Sequence, residues 1–275
     1  MRIVYDNAID TATLSASPAL VTTLPEENLQ NISRSKVART TGLSTQTILG
    51  NLSVAKLVSS LVLWRHNFTS NATIQLELYP LANQAGTKVY DSGEISPYDA
   101  KTLGDLLWGI DPLEASVFDS WGVYWSEIWF DAVAAASFKL TIKDSANPDG
   151  YMQVSRAYLG AYIGASFNPS YGMQLGWDEK VKQERTAGGT LYSDPAAAYR
   201  QLQFTLEMLS EVDRPKFLEF TRVVGMTKDF FISIYPELGG EIERDHSMLA
   251  KMIQYAPQTH TFYAHYSQSF QMQET

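Results

Sequence analysis

The 275-residue sequence contains no cysteine. Disulfides, thiol nucleophiles and every cysteine-based metal site are therefore excluded. Apolar runs are short as well. None approaches the ~18 consecutive residues of a membrane-spanning helix, and the most hydrophobic segment, Val54 to Trp64, is broken by Lys56 and by Ser59-Ser60. The opening Met1-Arg2-Ile3-Val4-Tyr5-Asp6 lacks the uninterrupted apolar stretch of a signal peptide, so neither export by a standard signal nor a membrane span is expected. Basic residues are outnumbered, 21 against 30 acidic, for a formal charge of −9. Phosphate backbones are held by clustered Lys and Arg, and no cluster exists here, so stable nucleic-acid binding is not expected. Gly-x-Ser-x-Gly, His-Glu-x-x-His and phosphate-binding glycine-rich loops are all missing. With no motif for turnover, the chain reads as a binding or structural protein rather than an enzyme.

What remains is ample apolar material: 45% of residues are hydrophobic. A chain of this size buries about 70% of its unfolded surface and exceeds the usual single domain. Two modules are expected, 1–165 and 166–275, with the boundary near Ser166-Phe167-Asn168-Pro169-Ser170-Tyr171-Gly172.

The first module reads as short strands rich in β-branched and aromatic residues: Lys56–Arg65, Thr73–Tyr79, Lys88–Tyr90, Glu127–Phe130 and Ser137–Ile142. Thr73–Tyr79 alternates Ile74, Leu76 and Leu78 against Gln75 and Glu77, as a half-buried strand requires. Such spacing points to a β-sandwich, with a short helical turn in Tyr98–Leu107. In the second module, Lys180–Arg185 and Leu191-Tyr192 form a hairpin around Gly188-Gly189, and Tyr199–Met208 alternates cleanly. The period then changes. Ser210 as N-cap, Asp213 and Pro215 open a helix over about 211–225 that stops at Gly225. Phe230–Tyr235 and Thr259–Tyr266 close the chain as strands. The fold class is mainly β: an N-terminal sandwich, then a small barrel or sheet with one packed helix.

Candidate sites are few. Glu26-Glu27, Asp178-Glu179 and Glu241-Ile242-Glu243 are adjacent carboxylates, whereas glycoside hydrolysis needs two carboxyls converging across a cleft, so they read as solvated turns. His260 and His265, five apart, would face opposite sides of one strand and cannot chelate one ion. No metal or cofactor is expected. Trp121, Trp125 and Trp129 recur every four residues, an interval that places them on one face of a helix or of a strand. Three indoles in line serve as a platform for sugar rings, as core filling or as a subunit contact. Arg65, His66 and Asn67 leave the most apolar strand for a loop and are the second candidate contact, for a glycan or a subunit; they are equally ordinary turn and cap residues.

Taken together, Arg34–Arg39, Gln46–Gly50, Val58–Asn67, Ile74–Tyr79 and Val89–Gly93 resemble a discoidin or galactose-binding-like jelly roll. The variant is similar to those in tail proteins of long-tailed bacteriophages. From Phe167 to the end, through Arg185–Gly189, the chain resembles the β-rich hub segments of distal-tail and tail-tip proteins. This resemblance implies a virion structural protein of the tail tip or baseplate, made in the host cytoplasm, forming a homo-oligomeric, six-fold ring between tail tube and tip. Its implied partners are the tail tube, tail-tip hub and tape-measure proteins. The alternative it leaves open is a carbohydrate-binding module contacting a host-surface glycan.

Overall fold

The computed structural model describes residues 1–98, 101, 104, 106–111, 116–119 and 121–275. The chain divides into two compact units. One comprises Ile3–Ile163 together with Tyr235–Ser247; the other comprises Met1–Arg2, Gly164–Ile234 and Met248–Thr275. Both are mainly β.

The first unit contains β1 (Arg2–Val4), β2 (Thr13–Ser17), β3 (Ala38–Arg39), β4 (Gln46–His66), β5 (Thr73–Tyr79), β6 (Tyr90–Asp91), β7 (Tyr124–Lys143), β8 (Gln153–Gly160) and β9 (Tyr162–Ile163). β1 pairs with β9, and the others run in the order β3-β8-β4-β7-β5-β6, with β2 also on β4. All these pairings are antiparallel. Two long strands organise the sandwich. β4 and β7 pair with each other along most of their length, but their register shifts between Asn51 and Lys56 and again between Val58 and Ser60. Such irregularities bend strands. The near half of β4 takes β2 as its second neighbour and the far half takes β8. Side chains from both halves, Ile48, Leu76 and Phe138 from one and Leu61, Leu63, Val154 and Leu159 from the other, meet in one core.

The sequence expectation for β5 matches the strand observed residue for residue. The expected strands Glu127–Phe130 and Ser137–Ile142 instead belong to one strand, β7. The intervening Asp131–Ala136 looks weak because it is alanine-rich and partly exposed, yet the β4 partnership carries it through. Half of the residues of the helical turn expected at Tyr98–Leu107 lie outside the described residues.

The second unit contains β10 (Gln174–Glu179), β11 (Gln183–Arg185), β12 (Leu191–Ser193), β13 (Ala198–Leu209), α1 (Asp213–Val224), β14 (Phe230–Ser233), β15 (Ser247–Met252), β16 (Gln258–Phe262) and β17 (His265–Glu274), while α2 (Gly240–His246) falls in the segment that returns to the first unit. Here the sheet runs β10-β13-β17-β15-β14, with β16 beside β17, and β11 and β12 form a separate two-stranded hairpin. Leu202, Phe204 and Leu206 alternate inward along β13, and Phe204 lies opposite Phe270 of β17. Phe217, Phe220 and Val224 form the buried face of α1, with Phe220 edge-on to Phe230 at 5.0 Å. Helix α1 starts slightly later than the capping pattern suggests, but the Ser210 hydroxyl still accepts from the Asp213 N–H at 3.1 Å. Arg200, almost fully buried, donates to both carboxylate oxygens of Glu274 at 3.0 and 3.1 Å.

Three expectations for this half are corrected. Thr259–Tyr266 is not one strand but the turn of the β16–β17 hairpin; Ala264, at φ 60°, occupies a left-handed position usually marked by Gly or Asn, so the reversal carries no sequence signal. His260 and His265 therefore stand on neighbouring strands rather than on one. Finally, residues 235–247 group with the sandwich rather than with the second module, and they supply a second helix where one was expected.

Candidate functional site

Side chains two apart on a strand share a face. At the start of β7 this sets Trp125, Glu127 and Trp129 in one row. Opposite them comes the returning segment, where Glu237, Gly239 and Gly240 all take positive φ. Its turn is held by Glu243, whose two carboxylate oxygens accept from the Glu237 N–H at 2.8 Å and the Gly239 N–H at 2.6 Å. Arg244, also buried, donates to the Val117 carbonyl and twice to Asp245, and stacks its guanidinium over the Trp121 ring at 4.5 Å. These contacts fix the helical segment against residues just before the aromatic strand. Between them lies an open pocket of about 310 Å³, walled by Tyr98, Phe118, Trp125 and Trp129 and bordered by Glu127, Glu237 and Glu243. That volume is within the range that small ligands occupy.

The three indoles differ in what they can offer. Trp125 is 2% exposed, stacked on Trp64 at 4.8 Å and met edge-on by Phe118 at 4.5 Å. It lines the pocket as a wall and cannot present a free face. Trp121, just before β7, is committed to the Arg244 guanidinium and is not part of the pocket wall. Trp129 is half-buried, edge-on to Tyr162 at 5.5 Å, and lines the pocket. The row of three is thus not a continuous platform: Trp121 precedes the strand, its ring is tilted 56° to that of Trp125 at 6.4 Å, and Arg244 covers it.

His66 is buried at the end of β4, so it too cannot reach a ligand. Its Nδ1 accepts from the Phe68 N–H at 3.2 Å, which leaves the proton on Nε2, 2.7 Å from the Ser126 hydroxyl. Burial pushes the imidazole down to about 3, overriding a backbone hydrogen bond at Trp125 that acts the other way. Its ring stacks on Phe68 at 4.3 Å and stands near Tyr98 and Tyr124. Burial, and then the Asp119 carboxylate that its hydroxyl meets at 3.0 Å, push Tyr124 up to about 12. The Asn67 amide is spent on loops: it donates to Asp149 and to the Tyr151 carbonyl and accepts from the Gln153 N–H. Arg65 sits at φ 55° where the β4 register shifts between Trp64 and His66. None of the three lines the pocket.

Trp125 and Trp129 are therefore the two sequence-identified residues that the structure brings to one site. Glu127 shares their parity on the strand, but a lone glutamate in an aromatic run gives no signal of its own. Glu243 belongs to a carboxylate pair that reads as a solvated turn, and nothing local to 237–244 signals its return to the sandwich. Among the described residues, no group of three or more His, Asp or Glu side chains is placed to hold a metal ion.

No protein-family model matches the chain, and no curated protein matches it. Solved structures similar to part of it include the family 32 CBM from C. perfringens NanJ in complex with galactose, at 14% identity and TM-score 0.39, covering 59% of this chain and 100% of that one. Another is chitosan-binding module 1 of a chitosanase/glucanase from Paenibacillus sp. IK-5, at 13% identity and TM-score 0.40, covering 58% and 100%. A third is a Streptococcus pneumoniae fucose binding module, SpX-3, at 9% identity and TM-score 0.39, covering 57% and 99%.

Proposed function

We propose that the chain is a non-catalytic glycan-binding protein whose sugar site is the pocket between the start of β7 and the 237–244 segment. The observation that carries this is the pairing of an aromatic wall, in which Trp129 is half-buried, and a carboxylate border in one cavity. Sugars have apolar C–H faces that pack on aromatic rings and hydroxyls that carboxylates accept from; a pocket recognising them needs both kinds of group. Arg244, the basic residue of the wall, is engaged by Asp245 and the Val117 carbonyl. With three carboxylates at the border, the site favours neutral or amino sugars over acidic ones. A glycan array tests this: binding to neutral or amino glycans, lost in Trp129→Ala with the fold intact, is the expected result. Silence across the array, or a Trp129→Ala variant that binds as well as wild type, would overturn the reading.

A second reading, compatible with the first, is that of a structural component of a phage tail tip, located in the virion. It is favoured by the exposed apolar side chains of the second unit, among them Phe167, Tyr171, Trp177, Phe262 and Tyr263. Exposed aliphatic side chains occur on both units, but among the described residues the exposed aromatic ones other than Trp108 belong to this unit, and exposed aromatic surface is what partners commonly cover. Co-expression with tail-tube, tail-tip and tape-measure proteins should yield a co-purifying complex; a chain that joins none of them would count against it.

A further inference from the structure

The sugar pocket holds more negative charge than the recognition of hydroxyls requires. Among the described residues that line it, the charged side chains are Glu127, Glu237, Glu243 and Arg244. Arg244 does not offset the three acids, because it has acids of its own: Asp245 at 2.7 Å and Glu241 at 3.8 Å. In and beside the wall, five carboxylates answer to one guanidinium.

The three lining carboxylates differ in what they can touch. Both oxygens of Glu243 already accept backbone N–H groups, from Glu237 and Gly239. Both oxygens of Glu127 are closed off from solvent, although the residue lines the cavity in the row between Trp125 and Trp129. Glu237 is the exposed one. A hydrogen bond needs contact and weakens steeply with distance and angle. For a neutral hydroxyl, Glu237 is therefore the carboxylate most open to it. Coulomb attraction acts through space, and more strongly where protein rather than water fills the gap. A cation in the cavity is thus drawn by all three. The rings act in the same direction: the negative face of an aromatic side chain attracts an ammonium group, and Tyr98 and Trp129, both half-buried, have surface to offer it.

We infer that the pocket selects sugars bearing a free, protonated amino group over the same sugars with that nitrogen acylated or replaced by a hydroxyl. The ammonium lies against the aromatic wall among the carboxylates, with Glu237 as the acceptor it meets. N-acetylation removes the positive charge and leaves the ligand only its hydrogen bonds and ring packing. This rests on the sugar-pocket reading and narrows its ligand from neutral or amino glycans to one class.

The test compares two probes. A short glucosamine oligomer and the N-acetylglucosamine oligomer of the same length and linkage are titrated by calorimetry at a pH where the amine is protonated. The amino form is expected to bind at least tenfold tighter at low salt, and the ratio should shrink at high salt as charges are screened. Glu237→Gln keeps the size of an exposed side chain and should cut the ratio threefold or more; Glu127→Gln should cut it as well. Glu207→Gln, an exposed acid of the second unit, controls for general attraction to an acidic chain and should leave the ratio unchanged. Equal affinity for the two oligomers, both lost in Trp129→Ala, would overturn the inference and leave the sugar pocket standing. An amino preference that falls no further in Glu237→Gln and Glu127→Gln than in Glu207→Gln would overturn it too, by assigning the preference to bulk charge. Binding of neither oligomer, nor of any array glycan, would remove the pocket reading along with it.

Discussion

Trp125 stacks on Trp64 with ring centroids 4.8 Å apart, and this contact decides which indole of the 121–129 run can meet a ligand. Both rings are about 2% exposed, so they brace the wall from behind. Trp64→Ala removes that brace and is expected to destabilise by about 3–5 kcal/mol. Trp129→Ala, at a half-buried position, should cost distinctly less. Urea midpoints of the two variants check the ordering.

His66 sets a pH dependence of known sign. Its folded value, about 3, lies below the ordinary ~6.5 of an unfolded histidine, so the unfolded chain takes up the proton first. The stability it supports is complete above ~6.5 and is lost as pH falls from there toward 3, by up to about 1.4 kcal/mol per pH unit. Comparing urea midpoints of wild type and His66→Gln across that window should show the wild-type curve falling more steeply. Parallel curves would mean that the imidazole is not buried neutral.

Two glycines make a matched pair. A methyl at Gly160 would stand 2.4 Å from the Asp6 carbonyl oxygen, which is backbone and cannot swing aside; at Gly176 it would meet nothing within 4 Å. Gly160→Ala is expected to lose about 1–3 kcal/mol, and Gly176→Ala to stay within about 0.5 kcal/mol of wild type. Thermal melts of both variants test the close approach.

Asn67 separates a structural role from a ligand role. Its side chain ties Asp149, Tyr151 and Gln153 to the end of β4. Asn67→Ala should therefore cost about 1–3 kcal/mol while leaving glycan retention on an affinity column unchanged at a temperature where the variant is folded. Retention lost without loss of stability would restore the Arg65–Asn67 loop as a binding site.

What the sequence made legible follows from how local the signal is. Alternation over Thr73–Tyr79 and Tyr199–Met208 reports a buried face directly, and both strands stand where it puts them, within a residue at the ends. The helix after Ser210 was legible through the face Phe217, Leu218, Phe220, Thr221 and Val224, of which all but the exposed Leu218 are buried. Long-range choices were not. Asp131–Ala136 has little strand signal of its own, and β7 continues there because β4 lies alongside. The Tyr263-Ala264 turn lacks any turn residue. Half of the candidate site comes from residues 237–244, whose hydrogen bond from Arg244 to Val117 spans 127 positions and leaves no periodic trace. Even spacing correctly put Trp125 and Trp129 on one face; it could not tell that Trp121 falls before the strand begins.

The sugar pocket is tested most directly by indole resonances. The six tryptophans give six indole N–H signals, and titration with the strongest array glycan reports which rings it meets. The expected result is a saturable shift of Trp129, a smaller one of Trp125 in the wall behind it, and still signals from Trp108 and Trp177. Shifts confined to Trp108 or Trp177, or binding that moves no indole, would contradict the site.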